Sequence, residues 1–118
     1  MTALTLTVQE YLQNVHQCLE EVERQDLTSI VDMLYRAYVH KANVYLMGNG
    51  GSASTASHMT AHLQEGVDGQ GSGGLHTVCL SDNVPRLTAL ANDFDYDSVF
   101  EIQMKGLLQA RDVVIAIS

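Results

Sequence analysis

Apolar positions recur every three or four residues from Val8 through Tyr11, Leu12, Val15, Cys18, Leu19 and Val22, with Gln9, Gln13, Gln17, Glu20 and Glu21 opposite. That spacing predicts an amphipathic helix. Thr7 and Glu10 have the spacing of a capping box at its start. A second helical stripe, Leu27, Ile30, Val31, Leu34 and Tyr38, follows a break at Arg24-Gln25, with Asp26 as the expected N-cap. The two helices are expected to be antiparallel. From Asn43 the helical period disappears. Asn43 to Met47 is a short apolar run that ends in Gly48-Asn49-Gly50-Gly51-Ser52, the pattern of a buried parallel strand entering a glycine turn. Ser52 is the expected cap of a helix that runs to Gln64 and stops near Gly66.

Residues 66–74 contain five glycines and predict a flexible loop. Leu75 to Leu80 predicts a second strand, and Ser81 to Pro85 a turn into a short helix through Leu90. Tyr96 to Gln109 predicts a longer helix with Val99, Phe100, Met104, Leu107 and Leu108 inward. Val113 to Ile117 predicts a third, fully buried strand. Strands that alternate with helices imply βαβ units, hence an α/β fold with a parallel sheet between helical layers. A sheet of only these three strands leaves an edge and apolar surface uncovered, so further chain or a partner is expected to cover it.

Composition narrows the function. The chain has 118 residues, enough for one small domain, and 46% of them are hydrophobic, enough for a core. A net charge of -8 with only six Lys and Arg excludes the basic footprint of a general nucleic-acid binder. It leaves open a phosphorylated small ligand, because backbone N–H groups and a helix N-terminus hold phosphate without side-chain cations. Cys18 and Cys79 both fall in apolar patterns and are expected to be buried free thiols. No apolar run approaches membrane-spanning length and no secretory leader pattern is present, so a soluble, cytoplasmic protein without a membrane partner is expected.

The glycine turn is the first candidate site. Glycines let the backbone approach a ligand, the following helix offers unpaired N–H groups, and Ser52, Ser54 and Thr55 add hydroxyls. The spacing matches neither the Walker pattern nor the dinucleotide fingerprint. On pattern alone a plain tight turn accounts for it equally well. His58 and His62, four apart, share one face of the next helix, as metal-binding pairs do. Two ligands do not make a zinc site, no third is obvious, and His76, Cys79 and Asp93 are no more than candidates, so one packed and one solvated histidine is the slightly better account of the spacing alone. His76 is expected to be a partly buried strand residue. Asp93, Asp95 and Asp97 alternate, but Ser98 and Met104 stand where a calcium loop needs glycine and glutamate, so helix-capping aspartates are the better account.

The segment from Asn43 to Leu63, NVYLMGNGGSASTASHMTAHL, resembles the phosphosugar-binding motif of sugar-isomerase (SIS) domains, and most of all their phosphoheptose isomerase branch. That branch carries GNGGS followed by a histidine on the next helix. Ser81-Asp82-Asn83 and Ala91-Asn92-Asp93-Phe94 with Tyr96 look like its second substrate loop, and DVVIAIS from Asp112 to Ser118 looks like the strand that leads to its phosphate loop. The resemblance implies a flavodoxin-like three-layer sandwich around a parallel sheet. Residues 1–42 would be a helical pair making oligomer contacts, and residues 43–118 the N-terminal part of the phosphosugar-binding domain. A homotetramer with sites between subunits is implied as well.

By position in that motif, Asn49, Gly50, Gly51, Asn92 and Asp93 would contact substrate, Ser52 would add its hydroxyl, and Ser118 would begin the phosphate loop. The family's remaining loop hydroxyls, and a glutamine and a histidine further on, match nothing in this chain. His58 matches the metal-binding histidine, with zinc as the implied metal. His62 stands where the branch has a carboxylate that serves as metal ligand and base. An imidazole can fill either role near neutral pH. The expected function is therefore aldose–ketose isomerisation of a seven-carbon sugar phosphate such as sedoheptulose 7-phosphate through an enediol. The alternative is a non-catalytic module that binds a phosphosugar as an effector or acts as an oligomeric adaptor, which the histidine at 62 favours. With the site short of residues, the 118-residue chain alone is expected to show little or no turnover.

Overall fold

A computed structural model describes residues 7–66 and 73–118. Most of the expected glycine loop, residues 67–72, lies outside the described residues. Two compact units are distinguished, the first ending at Val31 and the second running Asp32–Ser118.

In the first unit, α1 (Val8–Glu20) begins as its sequence dictates. The Thr7 side chain accepts from the Glu10 N–H at 3.2 Å, and the Glu10 carboxylate accepts from the Thr7 N–H at 2.7 Å. Two N–H groups that the helix itself cannot satisfy are thereby paired. The bond from the Thr7 backbone, followed by that from its hydroxyl, holds the Glu10 carboxyl below the usual carboxylate range. The break falls before Arg24, where α2 (Arg24–His40) begins, so Asp26 lies inside the first turn and is not the N-cap. The two apolar stripes are not buried in the single chain. No residue of α1 is buried, and Tyr11, Leu12, Leu19, Leu27 and Ile30 are all exposed. Cys18 shares that exposure, contrary to the expectation of a buried thiol, because no described residue covers the stripe it belongs to.

The second unit is a parallel sheet in the order β2-β1-β3, with β1 (Asn43–Gly48) central between β2 (His76–Cys79) and β3 (Val113–Ile117). The end of α2 feeds β1 through a tight reversal. Ala42 N–H donates to Ala37 C=O at 2.9 Å and Lys41 N–H to Tyr38 C=O at 3.3 Å, with Lys41 at φ 54°, the backbone of a Schellman cap. Successive side chains of β1 alternate faces. Val44 and Leu46, both fully buried, pack with Ala37, Ala56, Cys79 and Val113 beneath α3 (Gly51–Glu65). Tyr45 and Met47 pack with Leu80, Phe100 and Met104. The latter two belong to α5 (Val99–Met104), which follows α4 (Val84–Asp93). The result is the expected three-layer sandwich, helix on sheet on helix.

Three expectations change. The helix expected from Tyr96 to Gln109 is only the six residues of α5, and Leu107 and Leu108 are exposed rather than inward. Lys105, with ψ 121°, leaves the helical backbone just before Gly106. The third strand is not fully buried as expected, and His76 is exposed rather than partly buried. Val114 on β3 is 41% exposed and His76 on β2 is exposed, because short α5 covers little beyond β1 on that face. Cys79 is buried as expected, and desolvation raises its thiol pKa.

Candidate functional site

The site begins where β1 ends. Gly48 lies so close to the next helix that a Cβ there would stand 2.6 Å from the Ser52 carbonyl carbon and oxygen, so only glycine lets the chain turn this tightly. Gly50, at φ 57° and ψ -123°, occupies a backbone region closed to other residues in practice, and it is the N-cap of α3. Ser52, expected as the cap, is the second residue of the helix. No side chain caps α3, and no acidic residue lies in its first turn. Asn49 C=O accepts from Ser52 N–H at 3.0 Å and closes the turn. The N–H groups of Gly50 and Gly51 have no protein acceptor among the described residues. Among the described residues the positive end of the helix dipole is thus left without an acidic side chain in its first turn, at an exposed glycine backbone, which suits an anionic ligand.

Three neighbours complete this end of the sheet. Ser81, just past β2, both accepts from Gly48 N–H at 3.1 Å and donates to Gly48 C=O at 2.7 Å, pinning the end of β1. Asp82 accepts from Ser57 of α3 at 3.1 Å. The Tyr96 hydroxyl, from the segment between α4 and α5, donates to Asn49 Oδ1. Gly48 pairs with Ile117 in the β1–β3 register, so Ser118 is the next residue beside the glycine turn.

Of the expected site residues, Asn49, Gly50, Gly51, Ser52 and Ser118 therefore gather at one end of the sheet. Asn92 and Asp93 end α4, exposed, with Asn92 Nδ2 donating to Asp93 Oδ1 at 3.2 Å. It is Tyr96 that ties their segment to the turn. Tyr96 and Ser81 stand in the motif quoted above, but no spacing rule assigned them these bonds. Asp95 accepts from Ser98 N–H at 2.7 Å and from its hydroxyl at 2.6 Å, closing the turn before α5, whose N-cap is Ser98 and not one of the aspartates expected to cap it.

His58 and His62 lie roughly 10 and 17 Å along the α3 axis from Gly51 at the helical rise of about 1.5 Å per residue. Both are exposed, and neither is packed as the spacing alone suggested. Their Nε2 atoms stand 2.7 Å apart, with ring centroids at 4.5 Å. A hydrogen bond at that distance joins one Nε2 as donor to the other as acceptor. Among the described residues no group of three or more His, Cys, Asp and Glu could hold a metal ion. Neither His76, Cys79 nor Asp93 joins the pair. The two imidazoles fit zinc as donors but supply only half of a four-coordinate site.

A cleft of about 400 Å³ lies at the opposite end of the sheet, lined by His40, Lys41, Asn43, Gln109, Arg111 and Asp112 among others. Asp112 is occupied there as acceptor for the N–H groups of Asn43 and Gln109, at 2.8 and 2.9 Å. None of the expected site residues borders it. No helix among the described residues is long and apolar enough to cross a membrane.

The comparisons with known proteins agree with this arrangement. The SIS domain family matches residues 10–118. A phosphoheptose isomerase of Syntrophotalea carbinolica is 33% identical over 117 residues, which is 97% of this chain and 59% of that protein. The phosphoheptose isomerase of Helicobacter pylori strain P12 is 34% identical over 113 residues, covering 96% of this chain and 56% of its own length. The chain thus spans somewhat over half the length of these relatives. The solved structure of phosphoheptose isomerase GmhA from Neisseria gonorrhoeae superposes with a TM-score of 0.78 at 27% identity, over 95% of this chain and 61% of that one. A phosphoheptose isomerase from Francisella tularensis shares the fold, with a TM-score of 0.83 at 19% identity over 94% of this chain and 59% of its own. The glycine turn, the three-strand order and the family match lead to one conclusion, that this chain belongs to the SIS domain family.

Proposed function

We propose that the chain is the phosphosugar-binding part of a phosphoheptose isomerase, which interconverts the ketose and aldose forms of a seven-carbon sugar phosphate such as sedoheptulose 7-phosphate. The observation that carries the proposal is the start of α3. An uncapped, acid-free helix N-terminus on a glycine turn is joined to a second loop by Tyr96 and flanked by Ser118. The similarity to proteins named phosphoheptose isomerase supports the choice of substrate class.

On this reading, Gly50, Gly51, Ser52 and Ser118 hold oxygens of the sugar phosphate with N–H and O–H donors. Asn49, Asn92 and Asp93 fix its hydroxyls. A base takes the proton from the carbon next to the carbonyl, the carbonyl oxygen gains a proton, and the enediol forms. Loss of the neighbouring hydroxyl proton and return of a proton to the other carbon complete the transfer. His62 is the proposed base, and its Nε2 must leave the His58 contact to act. Zinc belongs to the proposal as an ion that His58 and His62 would hold, with its other donors from elsewhere, and would polarise the sugar oxygens; His62 then serves as ligand or as base, not as both through the same nitrogen. The exposed stripe of Tyr11, Leu12, Val15 and Leu19 supports self-association, proposed here as a homotetramer. Phosphorylated sugars are cytoplasmic metabolites, and the proposal locates the protein there.

A second reading, a SIS module that binds the phosphosugar without turning it over, is favoured by the imidazole at position 62 and by the incomplete donor set around it. Turnover of sedoheptulose 7-phosphate by the protein as its gene encodes it, with and without added zinc, separates the two. Isomerisation that rises in His62→Glu supports the enzyme. Binding with no turnover in either form supports the effector module, and no binding at all contradicts both.

A further inference from the structure

We infer that Tyr96 is a positioning residue of this site: its hydroxyl fixes the side-chain amide of Asn49 so that the amide N–H groups, rather than its oxygen, face a ligand. The inference rests on the phosphosugar reading and deepens it by stating what Asn49 recognises.

A side-chain amide has two ends of opposite character, an acceptor oxygen and a donor nitrogen. An exposed asparagine turns freely and offers a ligand either end. Asn49 is exposed and follows the glycine where β1 ends, yet its Oδ1 is occupied by the Tyr96 hydroxyl. Its Nδ2 has no protein acceptor among the described residues. The group left over is a donor, beside the unpaired N–H groups of Gly50 and Gly51. Such a cluster of neighbouring donors selects an oxygen ligand, either a phosphate oxygen or a sugar hydroxyl acting as acceptor, and disfavours an ammonium group at the same place.

Tyr96 is itself held firmly enough to do this. Its carbonyl accepts from Val99 N–H at 3.3 Å, and Val99 is fully buried. Asp95 on one side and Ser98 on the other are bonded to each other. Phe100 is anchored against Tyr45, Met47 and Leu80. The ring is therefore delivered to the glycine turn by a braced segment 47 residues away in sequence. The ring is half exposed, so its hydroxyl contributes little to the core, and its loss is expected to disturb orientation more than stability.

The test compares wild type with Tyr96→Phe, first without ligand. The side-chain amide signals of Asn49 in nitrogen–proton correlation spectra are expected to move in Tyr96→Phe, while the melting temperature stays within about 1 °C. Affinity for sedoheptulose 7-phosphate is then expected to fall about 3- to 10-fold, the range for one lost orienting hydrogen bond. In an Asn49→Ala background the same change is expected to cost nothing further, because Tyr96 acts through Asn49. Unmoved amide signals, unchanged affinity, or an equal loss in the Asn49→Ala background would each overturn the inference. Moved amide signals in a protein that binds no sugar phosphate would leave the coupling standing and overturn the phosphosugar reading instead.

Discussion

The two faces of the sheet are built from one strand, and they differ in how well they are closed. On one face, Val44 and Leu46 of β1 are fully buried under α3, a 15-residue helix that reaches all three strands. On the other, Tyr45 and Met47 are covered by α5, a helix of only six residues. Val78 and Val114, the register partners of Tyr45 on either side, remain 44% and 41% exposed. The apolar alternation of β1 is equally good on both faces, so helix length and placement decide closure. The candidate site depends on the closed face, because the same helix that seals Val44 and Leu46 presents its N-terminus to the ligand. The open face is a surface where further structure could pack without disturbing the glycine turn.

The comparison breaks most sharply in the core. Leu46→Ala, on the closed face, is expected to destabilise the fold by about 3–5 kcal/mol, against less than about 1 kcal/mol for Val114→Ala on the open face. Denaturant unfolding of both variants measures the contrast, and equal losses would mean that the open face is covered in solution. Next in size is the turn between strand and helix. Gly48→Ala drives a Cβ into the Ser52 backbone and is expected to cost at least about 2 kcal/mol. Gly50→Ala meets no atom within 4 Å, so its expected cost of about 1–3 kcal/mol is backbone strain alone. Sugar-phosphate affinity should fall in both variants, and a fall in Gly50→Ala with the fold retained separates loss of the site from loss of the fold.

The smallest effect is a pH dependence of the open face. Burial raises the Tyr45 phenol above its ordinary pKa, and the nearby Asp112 charge adds to this. The folded state therefore favours the neutral phenol. Its contribution is complete below about pH 10, the ordinary tyrosine value, and is lost as pH rises through the raised folded value. Stability of the wild type is expected to decline on the alkaline side of that point. In Tyr45→Phe the part of the decline that comes from this group should vanish, as thermal melts between neutral and alkaline pH would show.

Much of this architecture was legible in the residues. The capping box at Thr7 and Glu10, the run from Asn43 and the run from Val113 became the elements their patterns predicted, since each depends on local chemistry or on an uninterrupted apolar stretch. The misreadings of burial share one cause. Leu107, Leu108, Cys18 and the α1 stripe all fit a helical period, but periodicity reports which residues could be covered and not whether anything covers them. Gly106 was the available signal that the last helix would stop early. At the site, the glycine turn was visible as a pattern, and the resemblance named its residues. The Tyr96–Asn49 and Ser81–Gly48 bonds were not visible, because each joins residues far apart in sequence, 47 and 33 positions respectively.

The central claim is that the start of α3 is the sugar-phosphate site, and the most direct test is a titration with sedoheptulose 7-phosphate followed by backbone amide signals. The account predicts saturable shifts at Asn49, Gly50, Gly51 and Ser52, with Ser118 following, and none around Lys41 and Arg111 in the cleft at the other end of the sheet. Saturable shifts confined to that cleft, or a turn that stays silent at saturating ligand, would contradict it.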